Sequence, residues 1–379
     1  MRMVQGVLVF ITLLVLSGCW DIDEADRMNY VHGIGIDYVD EEIVIYLQIP
    51  NMGSLGSPDV TSEVETNVVI VQEQGQNISS IIHHMYQSAQ RKLYFGHNTF
   101  LVLSEEALRN GLLNQSLDLM NRFPQTRYRI NIFATQSNIE ELLSVTTLFE
   151  DAAVLTRVTD TENTYEISSL VKNIDMRETI IQLTEPGYDA IIPAISLNTE
   201  TWKSDGETIP TIETVGVALL QPDRYCGFIT EHDVLGLRWL QKSERNAVTL
   251  IKDEKPVSEV ILVRPKHDIY VRNKSGEAVF DIHIRSRGMI TEVIEPIGED
   301  EIIKKLKKTI EDEIMHTYQA SLELESDIFR LSEHLYRYDF SKWKELENDG
   351  SIPLNEDSIN INVEVDLIDT SIEKMEPTV

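Results

Sequence analysis

A largely apolar run, Val7 to Leu16, closes on Leu16-Ser17-Gly18-Cys19, and that junction constrains everything after it. A helix needs about 20 apolar residues to cross a bilayer, so a run of ten cannot span one. With Arg2 as a minimal basic segment ahead of it, the run reads as the apolar region of a secretory signal. Small residues directly before a Cys form a lipobox. Signal peptidase II accommodates small side chains there and cuts in front of a Cys already thioether-linked to diacylglycerol. Residues 1–18 are therefore read as a lipoprotein signal peptide. Leu16, Ser17 and Gly18 are its recognition residues, and Cys19 is the attachment site for a diacylglycerol anchor with palmitate-type acyl chains. One acyl chain holds a protein only marginally and two hold it stably. The mature chain is thus expected to be a water-facing body, lipid-anchored by its N-terminus to the outer face of a bacterial membrane.

Removing 18 of 379 residues leaves 361, enough for two or three domains. The formal charge of −30 becomes −31 when Arg2 leaves with the signal. So acidic a chain is repelled by nucleic acid and by anionic head groups, which excludes nucleic acid as a partner. No basic cluster follows the anchor, so the lipid alone holds the chain to the bilayer. There are two cysteines. With Cys19 lipidated, Cys226 is left as a free, buried thiol and a disulfide scaffold is excluded.

Along the chain, Val31 to Asp37 and Glu42 to Ile49 read as a hairpin, with Ile43, Ile45, Leu47 and Ile49 on one face and Pro50 as its stop. Asn51 to Glu65 is a Gly/Ser/Pro-rich loop before a short strand at Val68 to Val71. Ile78 to Leu93 is helical, with Ile78, Ile81, Ile82, Met85 and Ala89 in a stripe. Thr99 to Leu103 is a buried strand, and Ser104 caps a helix running towards Met120. Arg127 to Ala134 is a strand, and Ser137 with Glu140 forms a capping box. This order gives a mixed α/β region over 19–200, of one or two lobes. Residues 160–185 read as a polar helix, broken by Pro186-Gly187, ahead of the apolar run Ala190 to Ile195.

Charges and a glycine between Asn198 and Pro210 suggest a linker, placed at 201–213, ahead of a C-terminal α+β domain over 214–379. There Thr214 to Leu220 is a strand, and Thr230 with Asp233 caps a helix. Val257 to Val263 and Ala278 to Val293 are strands, the second with Phe280, Ile282 and Ile284 inward. Glu301 to Tyr336 reads as one long helix, with a kink allowed, packing Ile303, Leu306, Ile310, Ile314 and Tyr318 on an antiparallel-type sheet. Ile359 to Leu367 alternates as a half-buried strand. The fold class is α+β, multi-lobed, with mixed sheets and packed helices.

Chemistry is sparse. Gly33-Ile-Gly35 lacks the third glycine of a dinucleotide fingerprint, because position 38 is Tyr. No G-x-S-x-G elbow and no H-E-x-x-H motif occurs. His83-His84 lie about 100° apart on a helix and chelate poorly. His232 sits among acids at a helix start, and His97 follows Gly96 at a strand entrance. No catalytic, metal or cofactor-binding residue is assigned, and the chain is read as a non-enzyme.

Several stretches together resemble one family, the C subunits of bacterial spore germinant receptors, the Ger(x)C lipoproteins. They are Gly18-Cys19-Trp20-Asp21, Gly33 to Asp37, Leu93-Tyr94-Phe95-Gly96-His97, Gly111-Leu112 and Arg122. In the second half they are Val215 to Ala218, Gly227-Phe228, Gly236 to Leu240, Ser326-Asp327-Ile328-Phe329 and Trp343. The chain departs from the pattern at Arg330-Leu331-Ser332, where members often carry a glycine, and it lacks the usual Pro ahead of Trp343. The resemblance implies a three-lobed α+β subunit without catalytic residues on the outer face of the spore's inner membrane. Its implied partners are two integral membrane subunits, A and B, in a complex that responds to small germinants. Contact of this subunit with a small-molecule germinant is left open. From the residues alone, a solute-binding lipoprotein of an import system is the alternative.

Overall fold

The computed structural model describes residues 27–50, 68–122, 125–145, 170–274 and 276–368, with residues 5, 158, 159, 161 and 165 besides. Leu16 to Cys19 lie outside them, as do the loop read at 51–65 and most of 160–169.

The short strand β1 (Met28–Tyr30) is followed by β2 (Gly33–Val39) and β3 (Glu42–Pro50), which form the expected antiparallel hairpin. Asp40 and Glu41 turn it with φ of 50° and 63°, the left-handed pair that matches strand twist. β4 (Val68–Gly75) adds an edge, and α1 (Ile78–Ser88) buries Ile78, Ile81, Ile82 and Met85 under an Asn77 cap. β5 (Lys92–Tyr94) pairs parallel with β1, and β6 (Phe100–Ser104) leads into α2 (Glu105–Arg109) and α3 (Leu112–Arg122). Ser104 caps as expected, but the helix read from it is two helices, because Gly111 takes a left-handed φ of 69° between them.

β7 is Asn131–Thr135 and α4 is Ile139–Ser144. The α4 cap is Asn138, accepting from the Glu141 N–H, and not Ser137, whose hydroxyl pairs with that of Ser196. α5 (Met176–Thr184) begins only at its Asp175 cap, so the stretch 170–175 read as helical is not helix. β8 (Ala190–Asn198) then runs through the small hairpin of β9 (Lys203–Ser204) and β10 (Glu207–Thr208) into β11 (Thr211–Gln221). β8 and β11 are antiparallel neighbours in register from Thr211↔Asn198 to Leu220↔Ala190. Residues 201–213 are thus a hairpin excursion and the start of a strand, where a linker had been expected. The chain leaves β8 and returns to the same sheet. With β12 (Arg224–Thr230), eight strands form one mixed sheet in the order β12-β11-β8-β7-β6-β2-β3-β4.

Glu231 to Trp239 coils as a 3₁₀ helix without a Thr230 side-chain cap, unlike the capped helix the sequence suggested. β13 (Arg245–Lys252), β14 (Lys255–Lys274) and β15 (Glu277–Val293) are antiparallel, and the closing β16 (Ile359–Leu367) runs parallel to β15. Between them come α6 (Glu299–Glu323), α7 (Leu331–Tyr338) and α8 (Phe340–Leu346). The long helix read to Tyr336 therefore ends at Glu323. Glu325 and Arg330, both left-handed (φ 52° and 56°), turn the chain before α7.

Three cores result. One face of the eight-stranded sheet is covered by α1, α2, α3 and α5, the other by α4 around Phe133, Val102 and Tyr46. The third core lies between α6, the four-stranded sheet and the far end of the large sheet. α6 contributes Ile302, Leu306, Ile310 and Ile314, each with no exposed surface; each adds roughly 1.5–3 kcal/mol. Ile302 faces this core in place of Ile303, which is half-buried. Strands β8 and β11 serve two cores by alternation: Ala190, Ile192, Ala218 and Leu220 face the helices, and Ile191, Val217 and Leu219 face the C-terminal core.

α6 crosses the 3₁₀ segment at Gly236, whose N–H donates to Thr317 Oγ1 at 2.8 Å. A Cβ on Gly236 would stand 2.4 Å from the Glu313 carbonyl and 2.6 Å from the Ile314 Cα, both backbone atoms. Gly236→Ala should destabilise the chain by about 2–3 kcal/mol in urea unfolding. Gly298→Ala, with no heavy atom within 4 Å of its Cβ, should cost under about 1 kcal/mol.

Candidate functional site

The histidines that the sequence singled out do not converge. His83 and His84 are exposed on α1 with ring centroids 6.5 Å apart, His97 lies against Tyr30 at 4.8 Å, and His232 is exposed at the start of the 3₁₀ segment. Among the described residues no three His, Cys, Asp or Glu side chains are grouped to hold a metal. His32 is buried, with Nδ1 3.2 Å from Gln48 Oε1, while Gln48 Nε2 donates to the Leu143 carbonyl at 2.6 Å. Burial pushes the His32 pKa down, so the ring is neutral and serves as packing. Cys226 is free and half-buried, and burial raises its thiol to about 11, which leaves little thiolate at neutral pH.

The residues behind the family resemblance instead sit where elements meet. Gly33 and Gly35 on β2 leave room for Phe100 and Ile139, whose atoms stand 2.2 and 2.3 Å from a Cβ built at those positions. Arg238 and Trp239 both donate to Glu313 on α6: Arg238 Nη2 reaches Oε1 at 2.8 Å, and Trp239 Nε1 reaches Oε2 at 2.7 Å. Both side chains of that ion pair are 13% exposed, so the pair is largely desolvated, where removing one partner is costly.

The most concentrated polar cluster joins the eight-stranded sheet to the α6–α7 connection. Asp189, at the entrance to β8, accepts through Oδ2 from Ser326 Oγ and from the Asp327 N–H, each at 2.7 Å. Gln221 Nε2, at the end of β11, reaches the same oxygen at 3.4 Å. Asp327 in turn accepts from the Ser332 N–H through Oδ2 at 2.7 Å, while its Oδ1 is buried without a hydrogen-bond partner. The Ser332 hydroxyl accepts from Trp343 Nε1 at 3.1 Å and from the Ile352 N–H at 3.2 Å. One polar path thus runs from β8 through both C-terminal turns to the α8 tryptophan. Arg330 lays its guanidinium over the Tyr188 ring at 5.4 Å, joined there by Arg337 at 5.8 Å. Its left-handed backbone is one that glycine adopts without strain, which gives a physical reason for a glycine near this position in the family pattern.

Burial pushes the Asp327 carboxyl up to about 7; the charge of Asp189 adds to this and the Ser332 N–H opposes it. The cluster contains no nucleophile aimed at open space, and its chemistry is that of a buried fastening. Ser326, Asp327 and Trp343 were visible in the sequence as part of the resemblance. Asp189 and Ser332 were not, although an acid directly ahead of the apolar run Ala190 to Ile195 was a usable signal.

The pKa of Asp327 is higher in the folded chain than the roughly 3.9 of an unfolded one, so the folded state holds this proton more tightly. The stability it contributes is complete below about pH 4 and declines as the pH rises to about 7. Asp327→Asn should remove that decline, which amounts to at most about 4 kcal/mol, as measured by urea midpoints of both chains across pH 4 to 8. Glu313→Ala leaves Arg238 without its carboxylate, bonded only to the Ala247 carbonyl, strands the Trp239 N–H, and should cost about 3 kcal/mol in the same assay.

Two family models match the chain in sequence order. They are the spore germination protein N-terminal domain over residues 21–197 and the spore germination B3/GerAC-like C-terminal domain over residues 215–371. In Bacillus subtilis (strain 168), spore germination protein KC is 22% identical over 367 residues, covering 90% of this chain and 89% of that protein. Spore germination protein B3 from the same strain is 20% identical over 343 residues, covering 85% and 87%. The crystal structure of the GerBC protein aligns with a TM-score of 0.54 at 15% identity, covering 92% of this chain and 100% of that one, a likeness of fold. A mixed α+β body of several sheets, a helix packed on the last of them, and two consecutive germination-protein domains make this chain a member of the Ger(x)C family of germinant receptor C subunits.

Proposed function

We propose that the chain is a non-enzymatic, lipid-tethered subunit of a spore germinant receptor. In this reading Cys19 carries the diacylglycerol anchor, and the folded body assembles with the integral membrane A and B subunits to couple nutrient sensing to germination. What supports the reading is that the two family domains follow one another along the chain, the first of them from residue 21, just behind the stretch Leu16 to Cys19 read as a lipobox. Eight residues separate Cys19 from the first strand at Met28. Fully extended they reach about 30 Å, so a tether there keeps the β1 end of the body close to the bilayer. Among the described residues no helix is long and apolar enough to cross a membrane, which leaves attachment in this reading to Cys19 and to partner subunits. The outer face of the spore's inner membrane is the proposed location.

A solute-binding lipoprotein built from two similar lobes around a cleft is not favoured by the topology. β8, at the end of the N-terminal family domain, and β11, which runs into the C-terminal one, are hydrogen-bonded neighbours in a single sheet. Cys19→Ala tests the tether. The variant chain should remain folded, move from the membrane to the soluble fraction, and reduce the germination response. If it stayed firmly membrane-bound and active, partner subunits would be the attachment and the lipid an accessory. Crosslinking in spore membranes should recover two polytopic proteins with the wild-type chain; recovery of neither would sink the assembly.

A further inference from the structure

Strands β2, β6, β7 and β8 all begin on one edge of the large sheet. β2 runs parallel to β6, β6 to β7 and β7 to β8. A row of backbone bonds marks that edge: the Thr99 N–H donates to the His32 carbonyl and the Asn131 N–H to the Thr99 carbonyl, each at 2.9 Å. β1 leads into β2 here, so the N-terminal segment reaches the body at this edge. The entrances of β2 and β8 are three strand spacings apart, about 14 Å, which is within the extended reach of the residues between Cys19 and Met28.

The same edge carries aromatic side chains that the cores do not use. Tyr128, just ahead of β7, is 54% exposed between the exposed Arg127 and Arg129, and its hydroxyl donates to Asn121 Oδ1. At the entrance of β8 the α7–α8 hairpin is pinned beside the chain. The Gly187 N–H donates to the Gly350 carbonyl at 2.9 Å, and Arg337 Nη2 donates to the Tyr188 hydroxyl at 2.8 Å. α7 buries Leu331 and Leu335 and turns Tyr338 outward, at 78% the most exposed large apolar side chain among the described residues. Phe340 is 56% exposed and lies on Trp343, with ring centroids 6.0 Å apart and planes at 23°. Exposed rings occur elsewhere, at Trp202 beyond the far end of β8 and at Tyr270 on β14. What sets Tyr128, Tyr338 and Phe340 apart is the edge they share with the N-terminal segment.

We propose that this edge is a membrane-docking face, on which Tyr128, Tyr338 and Phe340 enter the head-group layer of the bilayer that holds the anchor. The inference rests on the proposed tether at Cys19. Tyrosine suits that layer because it joins an apolar ring to a polar tip. Arg127 and Arg129 have the length to reach lipid phosphate on either side of Tyr128. Single rings spaced along an edge, in place of a lined groove, match a deformable lipid surface better than a fitted protein partner. The net charge of −30 opposes an anionic surface, so the rings carry the contact and anionic lipid is not required. The anchor fixes one point of the body, and the rings fix its orientation. Docked in this way, the parallel strands point away from the bilayer and the β9–β10 hairpin, beyond the end of β8, stands outermost.

The test uses the full lipidated chain in phosphatidylcholine vesicles with no other protein. In a Cys226→Ser background, one introduced cysteine carries a nitrobenzoxadiazole label, and a lipid with a nitroxide head group is the quencher. The label at Ser341→Cys, exposed beside Phe340, should be quenched. The label at Val39→Cys, exposed at the far end of β2 about 20 Å from its entrance, should not. Tyr338→Ser with Phe340→Ser should bring Ser341 quenching down to the Val39 level, while the chain still floats with the vesicles on its lipid. A tether alone lets the body turn freely, which would quench both labels equally. Equal quenching in chains that float therefore overturns the docking and leaves the tether standing, as does Ser341 quenching that survives loss of both rings. If iodide then fails to reach Ser341 in spore membranes, the face belongs to a protein partner. A chain with no lipid on Cys19 that stays in the soluble fraction overturns the tether, and the docking with it.

Discussion

The antiparallel ladder between β8 and β11 is the constraint on which the rest of the molecule depends. It closes the short excursion through β9 and β10 and places residues of both family domains side by side in one sheet. Because side chains alternate across a strand, each of these two strands feeds two cores at once. A one-residue slip of β11 would exchange Val217 and Leu219 for Ala218 and Leu220 on both faces, so the register is fixed from both sides. The C-terminal core is then assembled against a surface that the N-terminal half has already shaped. α6 closes it with a fully buried aliphatic stripe.

Apolar packing sets where α6 lies, and the buried polar groups set how the chain leaves it. Asp189, Asp327 and Ser332 form a relay in which each acceptor is aimed at a specific backbone N–H or side-chain donor, and Glu313 holds Arg238 and Trp239 in the same way. Such groups add little net stability over a well-packed apolar substitute. They do penalise every arrangement in which a donor or carboxylate is left alone. The turn after α6 contains two left-handed non-glycine residues, Glu325 and Arg330, and the relay and the Tyr188 stack hold them there.

Local signals in the sequence were read correctly where the deciding physics is local. The β2–β3 alternation, the α1 stripe, the Ser104 cap and the half-buried β16 all follow from side-chain period and capping chemistry. Residues 201–213, charged and with a glycine, have the composition of a linker, and only the pairing of Asn198 with Thr211 shows that the strands on either side meet. The end of α6 was hidden for the opposite reason: no glycine or proline stands between Glu323 and Leu331, so nothing local announces the break. The polar relay joins residues more than a hundred positions apart, such as Asp189 with Ser326 and Asp327. Ser326, Asp327 and Trp343 could be picked out singly, Asp189 and Ser332 could not, and none of them as a group.

β1 meets the body through a parallel ladder of three residues with β5, backed by Tyr30 against Tyr94 and His97. β2 behind it is clamped between β3 and β6 in the middle of the large sheet. A chain held at its N-terminus therefore has a compliant first link and a stiff remainder. Tension from the bilayer side would be taken up by peeling β1 from β5, leaving the eight-stranded sheet and its paired cores undeformed. Under the proposed tether at Cys19, a pull along the chain is therefore met by three ladder residues before it reaches the large sheet.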